Sequence, residues 1–198
     1  MRWRALSAGV VLAALGLGSV SAAGLPQASV QYSAVRIVEA GGEKITSQVY
    51  YGGNGKERSE TDMGRTKMIM IVRPDKGMAW VVMPSERMYQ ELDVKHASQH
   101  VGVASPDDDV EIQKVGSDTV EGMATTRYKI IRKDRREGGF VWLSKDNIPV
   151  KLEVLDDSDG EATKVTVTLK NIKLGKQDPA LFELPTGYRR IPAFFSGQ

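Results

Sequence analysis

The chemistry this chain could carry starts with its two histidines, His96 and His100. Together with Asp93 they fall along one side of a helix expected over residues 93–103, opposite Val94, Ala97 and Val101. Two imidazoles at i and i+4 beside a carboxylate form a donor set for a divalent metal. The same three residues on the wet face of a short helix also need no ligand at all. A second metal reading rests on Met68 and Met70, whose thioethers suit Cu(I) and share a face if the segment is a strand. Their neighbours Ile69, Ile71 and Val72 are packing residues, and no second Met-x-Met follows. Neither histidine lies near a glycine-flanked serine, so a Ser-His-Asp site is not expected. The Gly-rich pieces Gly41-Gly42 and Gly52-Gly53-Asn54-Gly55 precede strands rather than helices, which fits turns and not phosphate loops. The sequence therefore assigns no catalytic residue and no cofactor.

The stretch that must position anything else is 67–93, which reads as two apolar strands, a proline-marked turn and a third short strand. Met68-Ile69-Met70-Ile71-Val72 and Met78-Ala79-Trp80-Val81-Val82-Met83 are short apolar runs bounded by Pro74 and Pro84, a pattern of strands rather than a helix. Both faces of each run are apolar, so both are expected to be covered. Five of the eight methionines fall here, and methionine lets an apolar surface re-pack around differently shaped partners. Met68, Met70, Met78, Trp80 and Met83 are accordingly the expected lining of an apolar ligand cavity. Period-two alternation leaves open which strand face would look into it.

The amino-terminal residues 1–22 carry Arg2 and Arg4, then an apolar run, then Val20-Ser21-Ala22, the order of a cleavable secretory signal. The apolar run is short for a membrane span, so no stable anchor is expected after cleavage. The chain contains 27 basic and 25 acidic residues; the signal holds two of the arginines and no acid, leaving 25 against 25. A neutral remainder lacks the basic footprint of a nucleic-acid binder. With no cysteine, residues 23–198 are expected to form a single domain held by its core alone, in the periplasm.

Most of the chain reads as strands. The segment 30–39 ends at Gly41-Gly42, and 44–51 ends at Gly52-Gly53-Asn54-Gly55, both with hairpin-turn chemistry. The segment 56–62 is polar on both sides and reads as an exposed or edge strand. Further on, Val150, Leu152 and Val154, and Val165, Val167 and Leu169, alternate with polar residues as half-buried antiparallel strands do. Asp156-Asp157-Ser158-Asp159-Gly160 between them fits a turn, since its acids miss the spacing of an EF-hand. Residues 125–133 and 139–144 make another pair, and 178–182 suggests one helical turn. The sum is about ten strands with one or two short helices: a mainly β chain whose antiparallel sheet curls into a barrel or half-barrel.

An ordered series of motifs adds to this reading: Gly77-Met78-Ala79-Trp80 with Pro84 and Met88-Tyr89, Val120-Glu121-Gly122 leading to Thr126-Arg127-Tyr128, Gly139-Phe140-Val141-Trp142-Leu143 with Ile148-Pro149, and the closing Asp178-Pro179, Phe182-Glu183-Leu184-Pro185 and Gly187-Tyr188. The series resembles the periplasmic LolA/LolB-like superfamily of lipoprotein carriers, and within it the relatives classed as domains of unknown function. The resemblance implies an antiparallel half-barrel over a helical lid, enclosing an apolar cavity that in the carriers accepts acyl chains. It supplies no catalytic residue. The segment before the first strand is short and polar where the carriers have a long helix, and a tail at 191–198 with Phe194-Phe195 extends past the usual end.

The expected function is thus an exported binding or carrier-like protein holding a lipid acyl chain or lipidated segment. An envelope module recognising a partner protein, and a metal-binding protein, are the two readings set beside it.

Overall fold

The computed structural model describes residues 25–64, 66–94, 111–131, 137–156 and 163–191. The signal reading of 1–22, the two histidines, the helix expected after Asp93 and the Phe194-Phe195 tail lie outside these residues. Among the described residues no helix is long and apolar enough to cross a membrane.

Twelve strands form one open, curled sheet. They are β1 (Tyr32–Ala40), β2 (Glu43–Gly53), β3 (Lys56–Asp62), β4 (Lys67–Arg73), β5 (Met78–Met83), β6 (Met88–Asp93), β7 (Glu111–Val120), β8 (Met123–Ile131), β9 (Glu137–Ser144), β10 (Pro149–Asp156), β11 (Thr163–Leu174) and β12 (Arg189–Ile191). Their spatial order is β12-β6-β5-β4-β3-β2-β1-β11-β10-β9-β8-β7. Two antiparallel meanders, β1 to β6 and β7 to β11, are therefore stitched together where β1 pairs with β11.

About ten strands were legible in the residue pattern because β7 and β12 escape it. β7 is almost wholly exposed, so it shows no apolar alternation, and β12 is three residues long. β12 also pairs parallel to β6, a departure from the otherwise antiparallel sheet. The helical turns among the described residues are three short 3-10 turns, at Pro74–Lys76, Pro84–Glu86 and Pro179–Phe182. The third is the expected helical turn, with the Asp178 carboxylate accepting from the Ala180 N–H at 2.9 Å.

The hairpin turns follow the glycines. Gly41 and Gly42 both sit at positive φ between β1 and β2, and Asn54 and Gly55 do so between β2 and β3.

Register assigns each strand residue to one of two faces. The inner face carries Tyr32, Ala34, Arg36, Val38 and Ala40 of β1, then Ser47, Val49 and Tyr51 of β2, and Val165, Val167 and Leu169 of β11, all buried. Leu25, Ala28 and Val30 from the segment before β1 pack against clusters on this face.

The outer face is half-wet except over β4 and β5. There Ile69, Ile71, Trp80 and Val82 lie under Phe182, with Leu181, Leu184 and Tyr188 packed alongside. The chain's own segment from Asp178 to Tyr188 thus acts as a strap across the outside. Arg58 donates to the Leu181 carbonyl at 3.1 Å and Arg73 to the Phe182 carbonyl at 3.0 Å. Gly52 leaves room for the Phe182 ring, since a Cβ there would come within 2.7 Å of it. The expectation that 67–93 is covered on both faces is met on this outer side. Over β8 to β10 the outer face is closed differently, by the Arg127 guanidinium stacked 4.0 Å from the centre of the Phe140 ring and 5.1 Å from that of Trp142.

Candidate inner-face binding site

β3 was expected at an edge because it is polar on both sides. It lies instead between β2 and β4, and Glu57, Ser59 and Thr61 are buried on its inner face. A polar strand reaches the interior when its side chains find partners there. The Ser47 and Thr61 hydroxyls bond each other at 2.7 Å, and Arg36 on β1 reaches across β2 to place Nη2 2.7 Å from Glu57 Oε1.

The Arg36–Glu57 pair is almost entirely out of solvent, with side chains 1% and 2% exposed. Register places Arg36 in the row of Ser47 and Thr61, and Glu57 in the row of Tyr51 and Tyr32. The two side chains therefore meet above the Val49 and Ser59 row. Among the described residues, Arg36 Nη1 and Glu57 Oε2 have no hydrogen-bond partner. Burial pushes the Glu57 carboxyl above its ordinary value, against the pull of the Arg36 charge and hydrogen bond. Beside the pair, the rings of Tyr32 and Tyr51 stack with centroids 5.3 Å apart. Burial raises both phenols, so neither ionises near neutral pH. Tyr51 donates to the Ala28 carbonyl and accepts from the Gly55 N–H, each at 3.3 Å, tying the entering chain to the sheet.

Next to this polar patch the inner face turns apolar. Glu57, Ser59 and Thr61 stand opposite Val72, Met70 and Met68 of β4, and Val72 and Met70 stand opposite Ala79 and Val81 of β5. Met70, Val72 and Ala79 are buried, with Met68, Val81, Leu92 and Val94 packed against them. Every hydrophobic member of this cluster belongs to β4, β5 or β6 or follows directly on β6.

The five residues expected to line a cavity are split by register. Met68 and Met70 of β4 share the inner face with Met83 of β5, which stands opposite Met88 of β6. Met78 and Trp80 point outward into the cluster beneath the strap. The Trp80 indole N–H donates to Glu91 Oε2 at 3.3 Å, and the Lys76 ammonium sits 5.5 Å from the ring centroid. Of the histidine site, only Asp93 is described, as the last residue of β6. Among the described residues no group of three or more His, Cys, Asp or Glu is placed to hold a metal.

Arg36 and Glu57 escaped the sequence reading. A signal for Arg36 does exist: it is the one charged residue in the line Tyr32, Ala34, Arg36, Val38 and Ala40, otherwise spaced as a buried face.

The fold and this face define the class: a β half-barrel built from one curled twelve-stranded sheet, with an apolar inner surface bordered by a buried polar pair. The chain belongs to the family described as domain of unknown function DUF4412, whose pattern matches residues 35–151. No curated protein matches the chain. Among solved structures it is similar to an uncharacterized conserved protein from Thermus thermophilus, at 13% identity and a TM-score of 0.52, covering 83% of this chain and 91% of that one. It is similar to MucB at 15% identity and a TM-score of 0.50, covering 87% of this chain; it spans only 60% of MucB. A LolA superfamily protein from Nitrosomonas europaea is also matched, at 14% identity and a TM-score of 0.37, covering 84% of this chain and 94% of that one.

Proposed function

We propose that this is an exported, periplasmic binding protein that holds the apolar part of a lipid or lipidated segment against the inner face of the half-barrel. The observation that carries the reading is the inner surface of β4 to β6. It gathers Met68, Met70 and Met83 beside Val72, Ala79, Val81 and Leu92 in one continuous apolar surface next to the polar residues of β3. An acyl chain laid on such a surface gains roughly 25 cal/mol per Å² of apolar area removed from water. Methionine lets the surface adapt to chains of different shape.

The test is to recover the protein from a bacterial envelope without detergent, record its native mass and extract it for lipids. A co-purifying lipid released on denaturation is the expected result. A protein that carries no lipid and neither binds nor responds to apolar probes would end the reading.

A second reading, recognition of a partner protein, draws on β7. This ten-residue strand ends the sheet on one side, is exposed along most of its length and presents Val115 at 54% exposure. An open edge of that length is where a partner's strand could add. Charges at Glu111, Lys114 and Asp118, and the irregularity between Lys114 and Gly116, work against indiscriminate pairing there. Capture of a defined partner that Val115→Pro abolishes and Met68→Ser leaves intact would favour this reading over the lipid one.

A further inference from the structure

The Arg36–Glu57 pair has hydrogen-bonding capacity that the described residues do not use. Its partners are joined end-on by one hydrogen bond at 2.7 Å, which leaves Arg36 Nη1 as an unpaired donor and Glu57 Oε2 as an unpaired acceptor. Both side chains are at most 2% exposed. A buried N–H or carboxylate oxygen without a partner keeps the full cost of its lost hydration, so a group that satisfies both at once is strongly favoured there. The matching group carries an acceptor and a donor side by side and is itself neutral: an amide, its carbonyl facing Arg36 and its N–H facing Glu57.

The apolar surface begins where this pair ends. Glu57 stands opposite Val72, which stands opposite Ala79, which stands opposite Leu92. Three strand spacings of about 4.8 Å carry that row roughly 14 Å across the sheet, the reach of a dodecanoyl chain.

We infer that the inner face recognises an amphiphile bearing an amide, with the amide held between Arg36 and Glu57 and the attached chain lying over Val72, Met70, Ala79 and Val81. This rests on the apolar-ligand reading above and adds to it the polar group that the ligand must bring. A fatty ester offers the carbonyl but no N–H, leaving Glu57 unpaired. A hydrocarbon offers neither.

The experiment uses diphenylhexatriene, a hydrocarbon probe with no polar group, displaced from the full chain by dodecanamide or by methyl dodecanoate. The amide is expected to displace it at a concentration at least about tenfold lower than the ester, the factor given by one buried hydrogen bond of ~1.4 kcal/mol. In Glu57→Gln the acceptor facing the ligand becomes a donor, so the preference is expected to collapse or reverse toward the ester. In Arg36→Met/Glu57→Met the two ligands are expected to compete equally while the probe still binds. Equal displacement by amide and ester from the wild-type chain would overturn the inference and leave the apolar-ligand reading standing. Failure of diphenylhexatriene to bind at all would overturn both.

Discussion

Arg36 and Glu57 sit on strands that are not neighbours, yet Arg36 Nη2 lies 2.7 Å from Glu57 Oε1 across the intervening β2. With the Ser47–Thr61 hydroxyl bond, that contact explains how a strand as polar as β3 occupies the middle of a sheet. Removing one partner leaves an uncompensated buried charge, whereas removing both leaves an apolar row. Arg36→Met alone and Glu57→Met alone are each expected to lower stability by about 3–5 kcal/mol, and the double variant to fall far short of their sum. Urea unfolding of the four proteins measures this; additive losses would show that the pair is not coupled.

The same pair sets a pH dependence. Burial raises Glu57 above the ordinary carboxylate value of 4.5, so the folded protein binds its proton more readily than the unfolded chain does. The associated stability is present below that value and is lost as pH rises through the raised one. Stability relative to Glu57→Gln is therefore expected to decline as pH increases above about 4.5. Parallel unfolding curves of the two proteins across this range check it, and a gap that does not change with pH would refute it.

The strap titrates in the opposite sense. Asp75 is pulled from its ordinary 3.8 to about 2 by the hydrogen bond from Arg73, and Glu183 is lowered by its bonds from Lys76 and Arg73. Stability from depressed carboxylates is present above their ordinary values and is lost as pH falls through the folded ones, here from about pH 4 to about 2. Asp75 and Glu183 are 41% and 51% exposed, so the effect on global stability is expected to be small and salt-sensitive. Trp80 lies in the cluster beneath the strap and reports it locally. In a Trp142→Phe background its emission is expected to shift to the red over this range, and to be shifted already at neutral pH in Gly52→Val, whose added side chain meets the Phe182 ring.

The two faces of the central hairpin are expected to separate by mutation. Met68 lies half-buried on the inner face and Met78 half-buried on the outer. Met68→Ser should weaken binding of an apolar probe severalfold, because it places a hydroxyl on the surface proposed for the ligand. Met78→Ser should leave probe binding unchanged and lower stability instead. Equal effects of the two substitutions on probe binding would remove the inner face as the site.

Local structure was already legible in the residue order. Alternation in β10 and β11, the glycines at positive φ after β1 and β2, and the twin apolar runs of 67–93 specify hairpins whose partners are adjacent in the chain. Those patterns are local, and local patterns suffice for turns and for the period of a strand. Which side of each strand is inside came from the packed sheet, because a period of two defines two faces and ranks neither. Packing separated Met68, Met70 and Met83 from Met78 and Trp80, laid a strap from the far end of the chain over the latter, and moved a polar strand from the expected edge to the interior. That last move depends on Arg36, twenty-one residues before Glu57. A residue so far along the chain becomes a partner only when the intervening strand has folded between them.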